Sequence, residues 1–122
     1  MRAIEKENIS GYVILTLELS QVRGGRRWVG KCLQTGTVAF DETISLTSEQ
    51  LSSLVALQLR AVDKVNQREH YFQEHEIIFY PQLPKQYELK LPVNSAAYYR
   101  ALILANVPGK EEGWFRFKPV AK

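Results

Sequence analysis

A chain of 122 residues, 45% hydrophobic and 24% charged, is long enough for one domain with its own core and too apolar to be disordered. Its single cysteine, Cys32, excludes an internal disulfide and a cysteine-rich zinc site; His70 and His75 are the only histidines, so neither a metal nor a cofactor is expected. The net charge of +3 is uneven: residues 1–80 hold nine Lys/Arg against ten Asp/Glu and residues 81–122 seven against three, which makes the last third the candidate surface for DNA, RNA or an acidic partner.

The N-terminal "MRAIEKENIS" mixes charges of both signs ahead of an alternating run, unlike a signal peptide. No stretch reaches the roughly 18 apolar residues of a membrane span, so the expectation is a cytoplasmic chain with no membrane partner. "GYVILTLELSQ", residues 11–21, sets Val13, Leu15, Leu17 and Leu19 on one face and Tyr12, Ile14, Thr16 and Glu18 on the other, the period of a strand with one apolar side. Gly24-Gly25 in "VRGGR" supply the conformational freedom of a tight turn, and residues 28–34 return as a second strand. Gly36 turns the chain again into a short third strand over 37–40.

The period then changes. Thr47 and Gln50 stand at capping-box spacing with Glu49 in the first turn, which predicts a helix starting at Thr47 or Ser48. Leu51, Leu54, Val55, Leu59, Val62 and Val65 form its core stripe. Residues 66–76 extend that helix or make a short second one capped by Asn66, and 77–80 read as a fourth strand that ends at Pro81. "PQLPK" is the candidate boundary. Beyond it, 86–91 alternate as a strand, Asn94 or Ser95 caps a helix over "AAYYRALILANV", Pro108-Gly109 ends it, and "WFRFKPV" is a last strand. The predicted fold is α+β. A three-stranded antiparallel meander, a long amphipathic helix and a fourth strand (β-β-β-α-β) fill residues 1–81. A basic strand-helix-strand extension over 82–122 is part of the same fold or a dimerisation element.

Candidate chemistry is sparse. Cys32 sits mid-strand with no imidazole near it in sequence and reads as a packed side chain. His70 and His75 are five apart, not the three or four of a helical metal pair, and read as surface histidines among Glu69, Glu74 and Glu76. Asp41, Glu42, Glu49 and Glu18 are the only acids with a claim to a two-metal nuclease cluster, yet only Glu18 lies within a strand. Arg23, Arg26 and Arg27 make a basic hairpin tip. Tyr98, Tyr99, Trp114, Phe115 and Phe117 interleave with Arg100, Arg116, Lys118 and Lys122, a pattern that serves either base stacking with phosphate contact or a core.

The run "WVGKCLQTGTVAFDETISLTSEQLSSLVALQLRAVDKVNQREHYFQEHEIIFY" resembles the N-terminal domain of HicB-type antitoxins. Trp28-Val29, Thr35-Gly36-Thr37 and Asp41-Glu42-Thr43 occupy the places of the family's short motifs, over about residues 11–85. Phe40 stands where the family has glycine, and Glu42 is inserted before Thr43. The resemblance implies a partial ribonuclease-H-like fold without nuclease residues. It also implies a partner, a small RNA-cleaving toxin of the HicA type. Many members add a DNA-binding ribbon-helix-helix or helix-turn-helix; here Pro108-Gly109 and "WFRF" replace the second helix of a ribbon-helix-helix. The expectation is a non-catalytic, self-associating interaction protein with Arg26, Arg27, Trp28, Asp41 and Glu42 as partner-binding residues. The alternative is a nucleic-acid-binding module that uses Arg100, Lys110, Arg116, Lys118 and Lys122.

Overall fold

The computed structural model describes residues 9–89, 91–92, 96–108 and 113–118. Strand β1 (Gly11–Gln21) is the spine. On one side β2 (Trp28–Cys32) pairs with its distal half, Leu17 facing Cys32 and Gln21 facing Trp28. On the other side β4 (Tyr98–Asn106) pairs with nearly all of it, from Gly11 opposite Asn106 to Leu19 opposite Tyr98. Strand β3 (Val38–Asp41) adds outside β2, and β5 (Trp114–Arg116) outside β4. The result is one antiparallel sheet in the order β3-β2-β1-β4-β5.

The period-two alternation decides which face is covered. Val13, Leu15, Leu17 and Leu19 are fully buried and share their face with Cys32, Ala39, Leu102, Leu104 and Trp114. Helix α1 (Ile44–Lys64) lies on that face with Leu51, Val55, Ala56 and Leu59. Each fully buried leucine here contributes about 1.5–3 kcal/mol. Gly30 allows the close approach: a Cβ there would stand 2.9–3.0 Å from Leu19, Leu51 and Thr47 side-chain atoms. The class is therefore α+β, with two helices and an antiparallel sheet among the described residues.

Helix α1 begins earlier than the capping-box spacing predicts. Thr43 is the N-cap, extended, and its Oγ1 accepts the Leu46 N–H at 3.0 Å. Thr47 is instead buried against the sheet, and its hydroxyl donates to the Thr43 carbonyl at 2.8 Å. The stripe is also narrower than expected, since Leu54 and Val65 are exposed. At the other end Asn66 terminates α1 rather than capping the next helix. It is left-handed (φ 56°), and the bonds from Asn66 N–H to Asp63 O and Gln67 N–H to Val62 O close a Schellman motif. Helix α2 (Arg68–Glu74) follows and ends the same way at Glu76 (φ 56°), with Ile77 N–H on Phe72 O.

The expected fourth strand over 77–80 is a single bridge. Tyr80 exchanges both backbone bonds with Tyr12 at 2.8 Å, on the stretch of β1 that β2 does not reach. The left-handed Glu76 on one side and Pro81 on the other leave no room for a longer ladder. Residues 86–89 form no strand. The helix expected over "AAYYRALILANV" is strand β4, the main partner of β1. Its two faces are both covered over Leu102–Val107, which erases the alternation that marks a half-buried strand. The proposed caps Asn94 and Ser95 lie outside the described residues. The last third thus enters the same sheet as the first.

One junction ties the helices to β5. Arg68 grips Asp63 through Nε–Oδ1 at 2.8 Å and Nη2–Oδ2 at 2.6 Å, and the buried Trp114 donates its indole N–H to Asp63 Oδ2 at 2.9 Å. The guanidinium lies 5.0, 5.3 and 6.0 Å from the ring centroids of Trp114, Phe79 and Phe72. Asp63→Ala leaves a buried indole N–H and a partly buried cation without their acceptor. It is expected to cost ~2–4 kcal/mol in urea unfolding, and Asp63→Asn less, because it keeps an acceptor. Glu76→Gly, which relieves a left-handed non-glycine residue, is expected to stabilise by about 1 kcal/mol in the same assay.

Candidate functional site

The register brings most of the expected partner-binding residues to one end of the sheet. Trp28 faces Asp41 directly across β2 and β3, and its ring lies 5.9 Å from that of Tyr98. Arg26 and Arg27 are exposed at the hairpin tip just before it, where Val22 N–H bonds to Arg27 O and Gly24 (φ 73°) makes the turn. Glu42 is exposed just beyond Asp41, and its own N–H is taken by Asp41 Oδ1 at 2.7 Å. Next to this end, β3 is an edge strand. Val38 and Phe40 point away from α1, 44% and 52% exposed.

The acids do not converge. Glu18 sits on the sheet face away from α1 and accepts the Tyr99 hydroxyl at 2.8 Å, whereas Asp41 pairs with Trp28 on the other face. Glu49 is exposed on α1. No group of three His, Cys, Asp or Glu is placed to hold a metal among the described residues.

The C-terminal basic residues meet the same rule of alternation. Arg100 pairs with Leu17 and Arg116 with Leu104, so both start from the α1 side of the sheet, and Lys118 is two residues on. Tyr99, Phe115 and Phe117 take the opposite side, where Phe117 packs edge-on against Tyr12 at 5.1 Å. Tyr98 and Trp114 stay on the α1 side with Arg100 and Arg116, Tyr98 exposed and Trp114 buried. Lys110 and Lys122 lie outside the described residues.

No family model, curated protein or solved structure matches this chain.

The polar corner beside the β2–β3 turn was not legible in the sequence. Cys32 is fully buried, and its thiol meets Gln34 Oε1 at 4.0 Å, so it is a packed side chain. The same Gln34 oxygen accepts the Thr16 N–H at 2.8 Å, capping the edge of β1 where β2 stops. His70 is exposed and 3.3 Å from Glu74, as surface histidines behave, but His75 is not one of them. Its ring stacks on Tyr71 at 4.0 Å, and its Nδ1 lies 2.8 Å from the Gln34 carbonyl. A carbonyl only accepts, so Nδ1 carries the hydrogen. His75 and Gln34 line a groove of about 630 Å³ with Ile14, Tyr80 and Tyr87.

Tyr71 accepts the Gln58 amide at 2.9 Å, and burial first, then the electrostatic effect of neighbouring Cys32, push its phenol above the ordinary value of 10.0. The folded state therefore holds the phenolic proton more tightly than the unfolded chain. That stabilisation is full below the unfolded pKa and is lost as pH rises through the folded one. Tyr71→Phe is expected to lower stability at neutral pH, and its deficit against the wild type should shrink above about pH 10. Urea unfolding along that pH range checks both parts.

Proposed function

We propose that this chain is a non-catalytic interaction module of the HicB-like type, acting in the cytoplasm, which binds and masks a small RNA-cleaving toxin of the HicA type. The observation that carries this is the edge strand β3. Among the described residues no strand pairs with its outer side, it presents Val38 and Phe40 to solvent, and it ends in Asp41 and Glu42. An apolar edge with an acidic end suits addition of a partner's strand and cover of a basic RNA-binding surface. These residues fall inside the stretch that carries the resemblance. Trp28, opposite Asp41, gives the same end of the sheet an aromatic anchor, with Arg26 and Arg27 as its rim.

Masking is steric in this reading: a toxin whose RNA surface lies against β3 has no room for substrate. The acids supply charge complementarity and speed of encounter, and Phe40 supplies the buried anchor. The nucleic-acid reading has less support: Tyr99, Phe115 and Phe117 lie on the sheet face opposite Arg100 and Arg116, Trp114 is buried, and of the five aromatics only Tyr98 is exposed on the same face as Arg100.

The test is co-expression with the small basic protein encoded by the neighbouring reading frame. The complex is expected to survive purification, and Phe40→Asp is expected to weaken it ~10-fold or more and to restore RNA cleavage. A neighbour that never co-purifies, or a complex indifferent to Phe40→Asp and to Asp41→Lys with Glu42→Lys, overturns the proposal.

A further inference from the structure

Arg60 Nε is the only buried side-chain nitrogen or oxygen without a hydrogen-bond partner among the described residues. The acids near it along α1 do not serve it. Asp63, three residues on, gives its carboxylate to Arg68 and to the Trp114 indole. Ala56, Leu57 and Lys64 fill the other neighbouring positions. Glu49 stands ~16 Å away along the helix axis. Arginine stays charged at any physiological pH, and a desolvated donor on such a cation is costly unless something accepts from it. An unpaired one therefore points to a binding role.

Arg60 lines a groove of about 360 Å³ between α1 and β5, together with Ser53, Trp114 and Arg116. Arg116 is exposed, starts from the α1 side of the sheet, and makes no ion pair among the described residues. The Ser53 hydroxyl is exposed and uncommitted, whereas that of Ser52 donates to the Ser48 carbonyl at 2.8 Å. Backbone donors lie on the same strand. Val107 N–H bonds to Gly113 O and Phe117 N–H to Ile103 O, so the alternate residues Trp114 and Arg116 turn their N–H groups to the outer edge of β5. Among the described residues Glu49 is the only acid in the lining.

Two fixed positive charges with neutral donors beside them suit a dianion that offers several acceptor oxygens. A phosphomonoester carries about −1.5 to −2 near neutral pH on three terminal oxygens, whereas each phosphodiester of a nucleic acid carries one charge. The volume is at the lower end of the range for small-ligand sites. We propose that the groove between α1 and β5 binds the phosphate of a small phosphomonoester, with Arg60 and Arg116 as its charge partners and Ser53 as a hydroxyl donor. The site lies at the sheet edge opposite β3 and does not depend on the partner surface proposed there.

Titration of the full chain with glycerol 3-phosphate at constant ionic strength, followed through arginine Nε–H and backbone amide NMR signals, tests the proposal. The Arg60 Nε–H signal, identified by its loss in Arg60→Lys, is expected to shift to saturation; inorganic phosphate is expected to move the same signal and chloride to leave it in place. Arg60→Gln and Arg116→Gln are each expected to raise the dissociation constant ~10-fold or more with an unchanged circular dichroism spectrum, and Glu49→Gln to lower it. Arg116 is exposed, so its variant decides the matter even where Arg60→Gln fails to fold. Shifts that never saturate or that chloride reproduces overturn the proposal, as does affinity indifferent to Arg116→Gln. So does a single-stranded oligonucleotide that binds there more tightly than the monoester. Glu111 and Glu112 lie outside the described residues. An Arg60 Nε–H signal that ignores phosphate and moves only in Glu111→Gln with Glu112→Gln also overturns it.

Discussion

The contact between Asp63, Arg68 and Trp114 is the constraint that the architecture turns on. A guanidinium among three aromatic rings loses hydration that a carboxylate partner offsets, and Asp63 does so with two bonds of 2.6 and 2.8 Å. The same carboxylate accepts the indole N–H of Trp114, the largest buried side chain among the described residues. Three parts of the chain meet there: the end of α1, the start of α2, and β5. Because Trp114 is held in place, β5 can close the sheet beyond β4. Because Arg68 is held in place, the left-handed turn at Asn66 is followed by an α2 whose first residue lies over the rings of Phe72 and Phe79.

That junction completes a domain covered by helix on one side only. The face under α1 is closed by leucine, valine and tryptophan. On the other face Ile103 and Ala105 are buried, Phe117 packs on Tyr12, and Glu18 holds Tyr99, while the β3 end stays open. Exposed apolar residues thus lie in different directions: Val38 and Phe40 on β3, and Leu46, Leu54 and Leu57 on α1.

Much of the first half was legible because its residues obey one period at a time. Val13, Leu15, Leu17 and Leu19 alternate without exception, and Gly24 and Gly36, both with positive φ, mark the two turns the sequence suggests. The errors arose where local signals were ambiguous. "YYRALILAN" joins helix-forming leucine and alanine to a single β-branched residue, and a continuous apolar run fits a buried strand as well as a helix. Only the pairing offered by β1 decides between them. Thr43 and Thr47 are equally good caps by residue type. The choice fell to Gly30, whose missing side chain makes room for Thr47 at the sheet. The site was less legible than the fold. Trp28 and Asp41 meet through register, and Asp63 finds Arg68 across a helix terminus, where the three- and four-residue rules for helical pairs do not apply. Gln34 gave no sequence signal, because its use is to stand in for a strand residue that β2 lacks.

The last third of the chain is structural, the main neighbour of β1, and not an appended lobe. Native-state hydrogen exchange read residue by residue tests it most directly. The amides of residues 102–105 are expected to open with the same free energy as those of β1 that bond to β4, by global unfolding. Rapid exchange over 102–105 while β1 and β2 stay protected would contradict it.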